Sequence, residues 1–248
     1  LVLVVFLNFV KLTSQQNDLL PLKDISIAIV KDGPASRNFE LESQLKNEII
    51  SLLSGQANAS FFDESEITGN WTMQSVSKII DKLLINDKVD IIITLGAISS
   101  QNIYLRKKID KPVIAAFVSD YKLQNIPFVN GTSGKDNLSY IIIPQRVESD
   151  LNFYSKLVKF KNVSIVLSKI YLKEMLGLTS LESKKYSLSG IRIDYIMADS
   201  SAAGVLELLP EDCEAVYFSN MLHFSNIELK KFIDEINLKK IPSFGSNL

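Results

Sequence analysis

The 248-residue chain is poor in the residues on which most catalysis and metal chemistry depend. Its single cysteine, Cys213, excludes an internal disulfide, and its single histidine, His223, cannot supply the clustered ligands of a zinc site. Acids and bases nearly cancel, with a formal net charge of -1 and the signs interspersed, so a basic footprint for nucleic acid and an acidic tail are both missing. There is no G-x-G-x-x-G stretch, no G-K-[S/T] phosphate loop and no G-x-S-x-G elbow. Nucleotide binding by those fingerprints and serine-hydrolase chemistry therefore have no support.

What is present begins with "LVLVVFLNFV", ten residues broken by Lys11 and too short for a spanning helix of about 20 residues. That length suits the apolar part of a secretory signal, and the polar "TSQQND" after it suits the start of a mature protein; a buried strand or helix is the alternative. Residues 1–22 are read as this segment and its polar leader. Whether the protein is released or anchored is left open. The five N-x-[S/T] sequences, at Asn58, Asn70, Asn130, Asn137 and Asn162, are read as chance in a chain rich in Ser and Asn.

From residue 23 onward, apolar β-branched runs alternate with helical spacing. "ISIAIV" reads as a strand covered on both faces, and "SRNFELESQLKNEIISLL" places Leu41, Leu45 and Ile49 at helical spacing before Gly55. "ASFF", "DIIITLG" and "KPVIAAFVSD" follow as strands, with helices over "MQSVSKIIDKLLIND" and "ISSQNIYLRKKI". Such alternation means right-handed crossovers and a parallel sheet. The aperiodic stretch 121–137 reads as a crossover between lobes at 23–120 and 138–248, the second lobe opening with the strand "LSYIII". The expected fold class is α/β, with two open parallel-sheet, Rossmann-like lobes.

Ligands of open α/β sheets sit beyond the carboxyl ends of the strands. At one such end, Gly96 lets the chain turn closely and Ala97 starts a helix whose free N–H groups suit an anionic or carbonyl group. Ser99 and Ser100 either add hydroxyl bonds to a guest or cap the helix. Other strand ends carry Ser119 and Asp120, then Gln145, Ser168 and Asn220. Candidates for catalysis are thin: His223 and Cys213 read as ordinary core or surface residues, and Asp32, Asp120 and Glu148 form an acid/base set only if folding gathers them. Phe117, Tyr121, Phe218 and Trp71 are aromatic groups near these ends, with Phe117 and Phe218 reading as core.

Two stretches, "VDIIITLGAISSQNIYLRKKIDKPVIAAFVSD" and "CEAVYFSNMLHFSNIELKKFIDEINLKKIPSFGSN", carry a resemblance. In order of strands and character of strand ends, the chain resembles ABC-transporter substrate-binding proteins of the type I periplasmic-binding fold, in the branch for amino acids and similar solutes. The first stretch is similar to that family's Asp, apolar strand, Gly-Thr, helix start and Ser/Thr-Asp pair; here Ala97 stands for the Thr and Tyr121 for a following Pro. The chain stops soon after "IPSF", where the family continues back to the first lobe, so either this is a C-terminally truncated piece or that return is lacking. The resemblance implies a periplasmic or extracytoplasmic, non-enzymatic protein without cofactor or metal. It would close on a small polar solute and present it to a membrane permease. Gly96, Ala97, Ser99, Ser100, Ser119 and Asp120 would grip from lobe one, with Asp120 accepting an ammonium, and Gln145, Ser168 and Asn220 from lobe two. A ligand-sensing domain signalling to a receptor, and a doubly wound enzyme, are the competing readings.

Overall fold

The computed structural model describes residues 22–63, 67–118, 126, 130–142, 147–177, 186–188, 190–219, 221 and 223–245. The apolar opening segment and most of its leader lie outside them. The first lobe runs β1 (Lys23–Lys31), α1 (Ser36–Leu53), β2 (Ala57–Phe61), α2 (Met73–Ile85), β3 (Ile91–Leu95), α3 (Ala97–Leu105), β4 (Val113–Val118) and β5 (Leu138–Ile142). The second runs α4 (Val147–Leu157), β6 (Asn162–Ser168), α5 (Lys169–Leu176), β7 (Tyr186–Leu188), β8 (Ile191–Ala198), α6 (Ala202–Leu208), β9 (Ala215–Phe218), α7 (Asn226–Leu238) and β10 (Ser243–Gly245).

Continuous apolar strands follow from cover on both faces. On β1, Ile27 and Ile29 pack with Ile49 and Leu53 of α1, while Ala28 and Val30 face the opposite way, toward Val76 and Ile80 of α2 and Ile98 and Ile103 of α3. Lobe two is built likewise. Val166, Val216 and Phe218 pack on Val205 of α6 and Phe232 of α7, and Ile165 and Tyr217 pack on Leu151 of α4. In α1, Leu45 and Ile49 pack on the core as expected, but Leu41 is exposed and Glu42 is buried between Lys31 and Lys46. A carboxylate with two ammonium partners can be buried where a lone one cannot.

Sheet one has the order β2-β1-β3-β4-β5 and is parallel throughout. Sheet two has the order β10-β9-β6-β8-β7, parallel except for β7, which runs antiparallel on β8. With β5 and β7 set aside, the two orders are the same, β2-β1-β3-β4 matching β8-β6-β9-β10. Each lobe therefore has one switch point, between β1 and β3 and between β6 and β9, where successive connections leave to opposite sides of the sheet. The expected boundary at residue 138 is corrected by this topology. "LSYII" pairs with β4 as the fifth strand of the first sheet, and the second lobe begins with α4. An apolar run reports cover on both faces but not which sheet supplies its neighbour.

Candidate functional site

At the first switch point the side chain of Asp32, just beyond β1, lies under the start of α3. Its Oδ2 accepts the Ile98 N–H at 2.9 Å and its Oδ1 the Ser99 N–H at 2.8 Å. Gly96 precedes the helix and makes no side-chain cap, so Asp32 supplies the cap from another strand. The fit leaves no space: a Cβ on Gly96 would lie 2.3 Å from Asp32 Cγ. Burial pushes the Asp32 carboxyl above its usual range, and the amide bonds from Ile98, Ser99 and Ala97 pull it back. The seat expected for an anionic or carbonyl group of a guest is thus filled by the chain's own carboxylate.

The hydroxyls around it are also engaged. Ser99 and Ser100 are fully buried; Ser99 Oγ donates to the Gly96 carbonyl at 3.2 Å, and Ser100 Oγ is 3.1 Å from Thr94 Oγ1. Ala97 is buried beside them. On the other side, the Asp32 carbonyl accepts the Trp71 N–H at 2.7 Å, with Trp71 in the left-handed region at φ 65. The indole lies against Gly33, where a Cβ would meet Trp71 Cε2 at 2.3 Å.

At the second switch point Ser168 ends β6 and caps α5, its Oγ accepting the Tyr171 N–H at 3.3 Å. The same Oγ is 3.1 Å from His223 Nδ1, in the segment after β9. Burial pushes the His223 imidazole down to about 4, against an opposing pull from the Asp199 and Ala198 carbonyls and the Asp199 charge. The ring is neutral near pH 7, and its Nε2 is buried without a hydrogen-bond partner. The two switch points are therefore bridged alike, by Asp32 to α3 and by Ser168 to His223.

Tyr171 joins them. It stands on α5 of lobe two yet packs within the core cluster of lobe one, edge-on to Trp71 at 6.2 Å and edge-on to His223 at 6.2 Å. Burial raises its phenol well above 10, and the Asp32 charge adds to the rise. Beside it, Glu174 Oε2 accepts the Met73 N–H at 2.6 Å, so a lobe-two carboxylate caps α2 of lobe one. Ile170 and Met175 of α5 also rest on the lobe-one core. These contacts bring the carboxyl ends of both sheets against one another.

Of the residues expected at the site, Gly96, Ala97, Ser99 and Ser100 gather around Asp32, and Ser168 stands at the facing switch point. Ser119, Asp120, Gln145 and Asn220 lie outside the described residues, as does Tyr121. Glu148 is exposed on α4, and Cys213 is buried with its thiol donating to the Ala215 carbonyl at 3.2 Å. Phe218 is core, and Phe117 packs on the lobe-one core. Tyr171 and Glu174 were not anticipated. Their one signal is a place in the first turns after the β6 strand end.

No protein-family model and no curated protein matches the sequence. Solved structures do. The chain is similar to an ABC domain in complex with L-Trp from Streptococcus pneumoniae, at TM-score 0.65 and 13% identity, over 90% of this chain and 74% of that one. It is similar to a periplasmic binding protein type 1 from Bordetella pertussis, at TM-score 0.56 and 14% identity, over 91% and 62%. It is also similar to a solute-binding protein of an ABC transporter from R. palustris in complex with 4-hydroxybenzoate, at TM-score 0.59 and 9% identity, over 90% and 62%. At such identities the likeness concerns the fold, which is the type I periplasmic-binding fold expected from the sequence. Among the described residues no helix is long and apolar enough to cross a membrane.

Two outcomes test this geometry. Gly96→Ala must push the Asp32 carboxylate off the start of α3, and urea unfolding is expected to show a loss of about 1–3 kcal/mol; an unchanged midpoint would contradict the cap. An unfolded chain takes up the His223 proton near 6.5, whereas the folded one resists until about 4. Stability from this group is thus complete above pH 6.5 and is lost as pH falls toward 4. His223→Gln should flatten the stability curve between pH 6.5 and 5, and an identical slope in both proteins would contradict the buried neutral ring.

Proposed function

We propose that the chain is an extracytoplasmic solute-binding protein that closes its two lobes on a small polar solute, an amino acid or similar, and presents it to the permease of an ABC transporter. The observation that carries this reading is the pairing of two switch points, each bridged from within and joined by Tyr171 against Trp71, between which a ligand crevice is proposed. Such a crevice suits a hinge: opening separates Tyr171 and Glu174 from lobe one, and closing hides a guest from water. In this reading the chain binds its guest without transforming it.

Ser119 and Asp120 on lobe one, and Gln145, Ser168 and Asn220 on lobe two, are proposed to line the same crevice, with the stretch from Gly96 to Ser100 as its floor. Support comes from their positions at strand ends and from similar structures, in which those proteins are in complex with L-Trp and 4-hydroxybenzoate. Titration calorimetry against amino acids and small aromatic acids is expected to find at least one solute binding one to one, with a dissociation constant on the order of micromolar. Asp120→Ala should weaken it about tenfold, or about 1.4 kcal/mol. No heat with any solute would end the reading, and unchanged affinity in both Asp120→Ala and Ser99→Ala would remove the site assignment.

A further inference from the structure

The helix α2 begins with Met73, Gln74 and Ser75 and has no acid in its first turn, where a negative charge would stabilise it. Thr72 caps it by accepting the Ser75 N–H at 3.2 Å. The charge comes from lobe two: Glu174 Oε2 accepts the Met73 N–H at 2.6 Å, a charge-assisted bond across 101 residues of chain. Glu174 follows Tyr171 by three positions on α5, so one face of one helix makes both this bond and the ring contact with Trp71.

Two effects oppose each other at this contact. The Glu174 bond favours it, whereas the Tyr171 hydroxyl is buried there without a hydrogen-bond partner among the described residues and regains water only when the lobes part. A bond to a charged group and an unengaged buried hydroxyl are of similar size, so neither fixes the contact outright. Depth matters as well. Glu174 and Met73 are half-buried, and both polar groups are hydrated once apart. The Lys31–Glu42 pair, 3% and 1% exposed, has no such release. We propose that Glu174 and the Met73 amide form a latch between the lobes, opposed by the buried Tyr171 hydroxyl, so that the ligand-free chain exchanges between latched and unlatched forms. The latch takes its role from the solute-binding reading: a solute that favours the latched form shifts the population toward it.

The test uses the full chain without solute. Nitroxide labels at Lys82→Cys on α2 and Glu207→Cys on α6, both exposed positions, in a Cys213→Ala background report the distance between lobes by pulsed electron resonance. Glu174→Gln removes the charge and is expected to raise the ratio of longer to shorter distances about five- to tenfold. Met73→Pro removes the donor from the other side. Proline suits the first position of a helix, and Thr72 before it is already extended at φ -122 and ψ 145. It should give a similar shift, and the double variant no more than either alone, as for two ends of one bond. Tyr171→Phe added to Glu174→Gln removes the opposing hydroxyl and should return the ratio toward the shorter distance. An unchanged ratio in both single variants, shifts that add in the double variant, or no return with Tyr171→Phe would overturn the latch and leave solute binding standing. Since no solute is present, a chain that binds none of those tried would leave the latch standing in turn.

Discussion

The Asp32 carboxylate under the first turn of α3 is the constraint from which the rest of the arrangement follows. It ties the end of β1 to the start of the helix after β3, the two chain segments that part at the switch point of the first sheet. Without that tie the amide ends of α3 would need another anion or water, and the segment from Gly96 to Ser100 would not lie buried. Gly96 is required because the carboxylate occupies the volume of a side chain there. Trp71 is placed by the same residue through its main-chain carbonyl, so one aspartate positions both the start of α3 and Trp71.

Lobe two repeats the device with different chemistry. A serine hydroxyl and an imidazole replace the carboxylate and amides, and the link again spans the switch point. Tyr171 then crosses between the lobes on α5, the helix whose start that serine caps. The contact between the lobes thus depends on a short path, from Ser168 through the first turn of α5 to the rings of Tyr171 and Trp71. Breaking this contact would expose apolar and aromatic surface on both sides, at a cost in water.

Much of this fold was legible because its strands are apolar on both faces and its helices carry spaced apolar positions. The helix over Ser36–Leu53 was read to its ends, and the strand-helix alternation gave the two parallel sheets. What local pattern could not show was pairing at a distance. The strand Leu138–Ile142 was placed with the residues that follow it, whereas its partner β4 comes before it. The antiparallel β7 was not read at all. Gly96 was recognised as a site of close approach, but an amide cradle looks the same in sequence whether a ligand or a carboxylate 66 residues from Ile98 fills it. His223 looked like an ordinary core histidine because its partner, Ser168, is 55 residues away.

The occupancy of the α3 amino end by Asp32 is open to direct measurement by nuclear magnetic resonance. Following the Asp32 carboxyl carbon and the amide protons of Ile98 and Ser99 through one pH titration should show all three moving together. Their shared midpoint should lie above the ordinary carboxylate value of 3.8. Amide signals of Ile98 and Ser99 that stay fixed while the Asp32 carboxyl titrates would mean that the carboxylate does not hold the helix start, and the account built on it would fail.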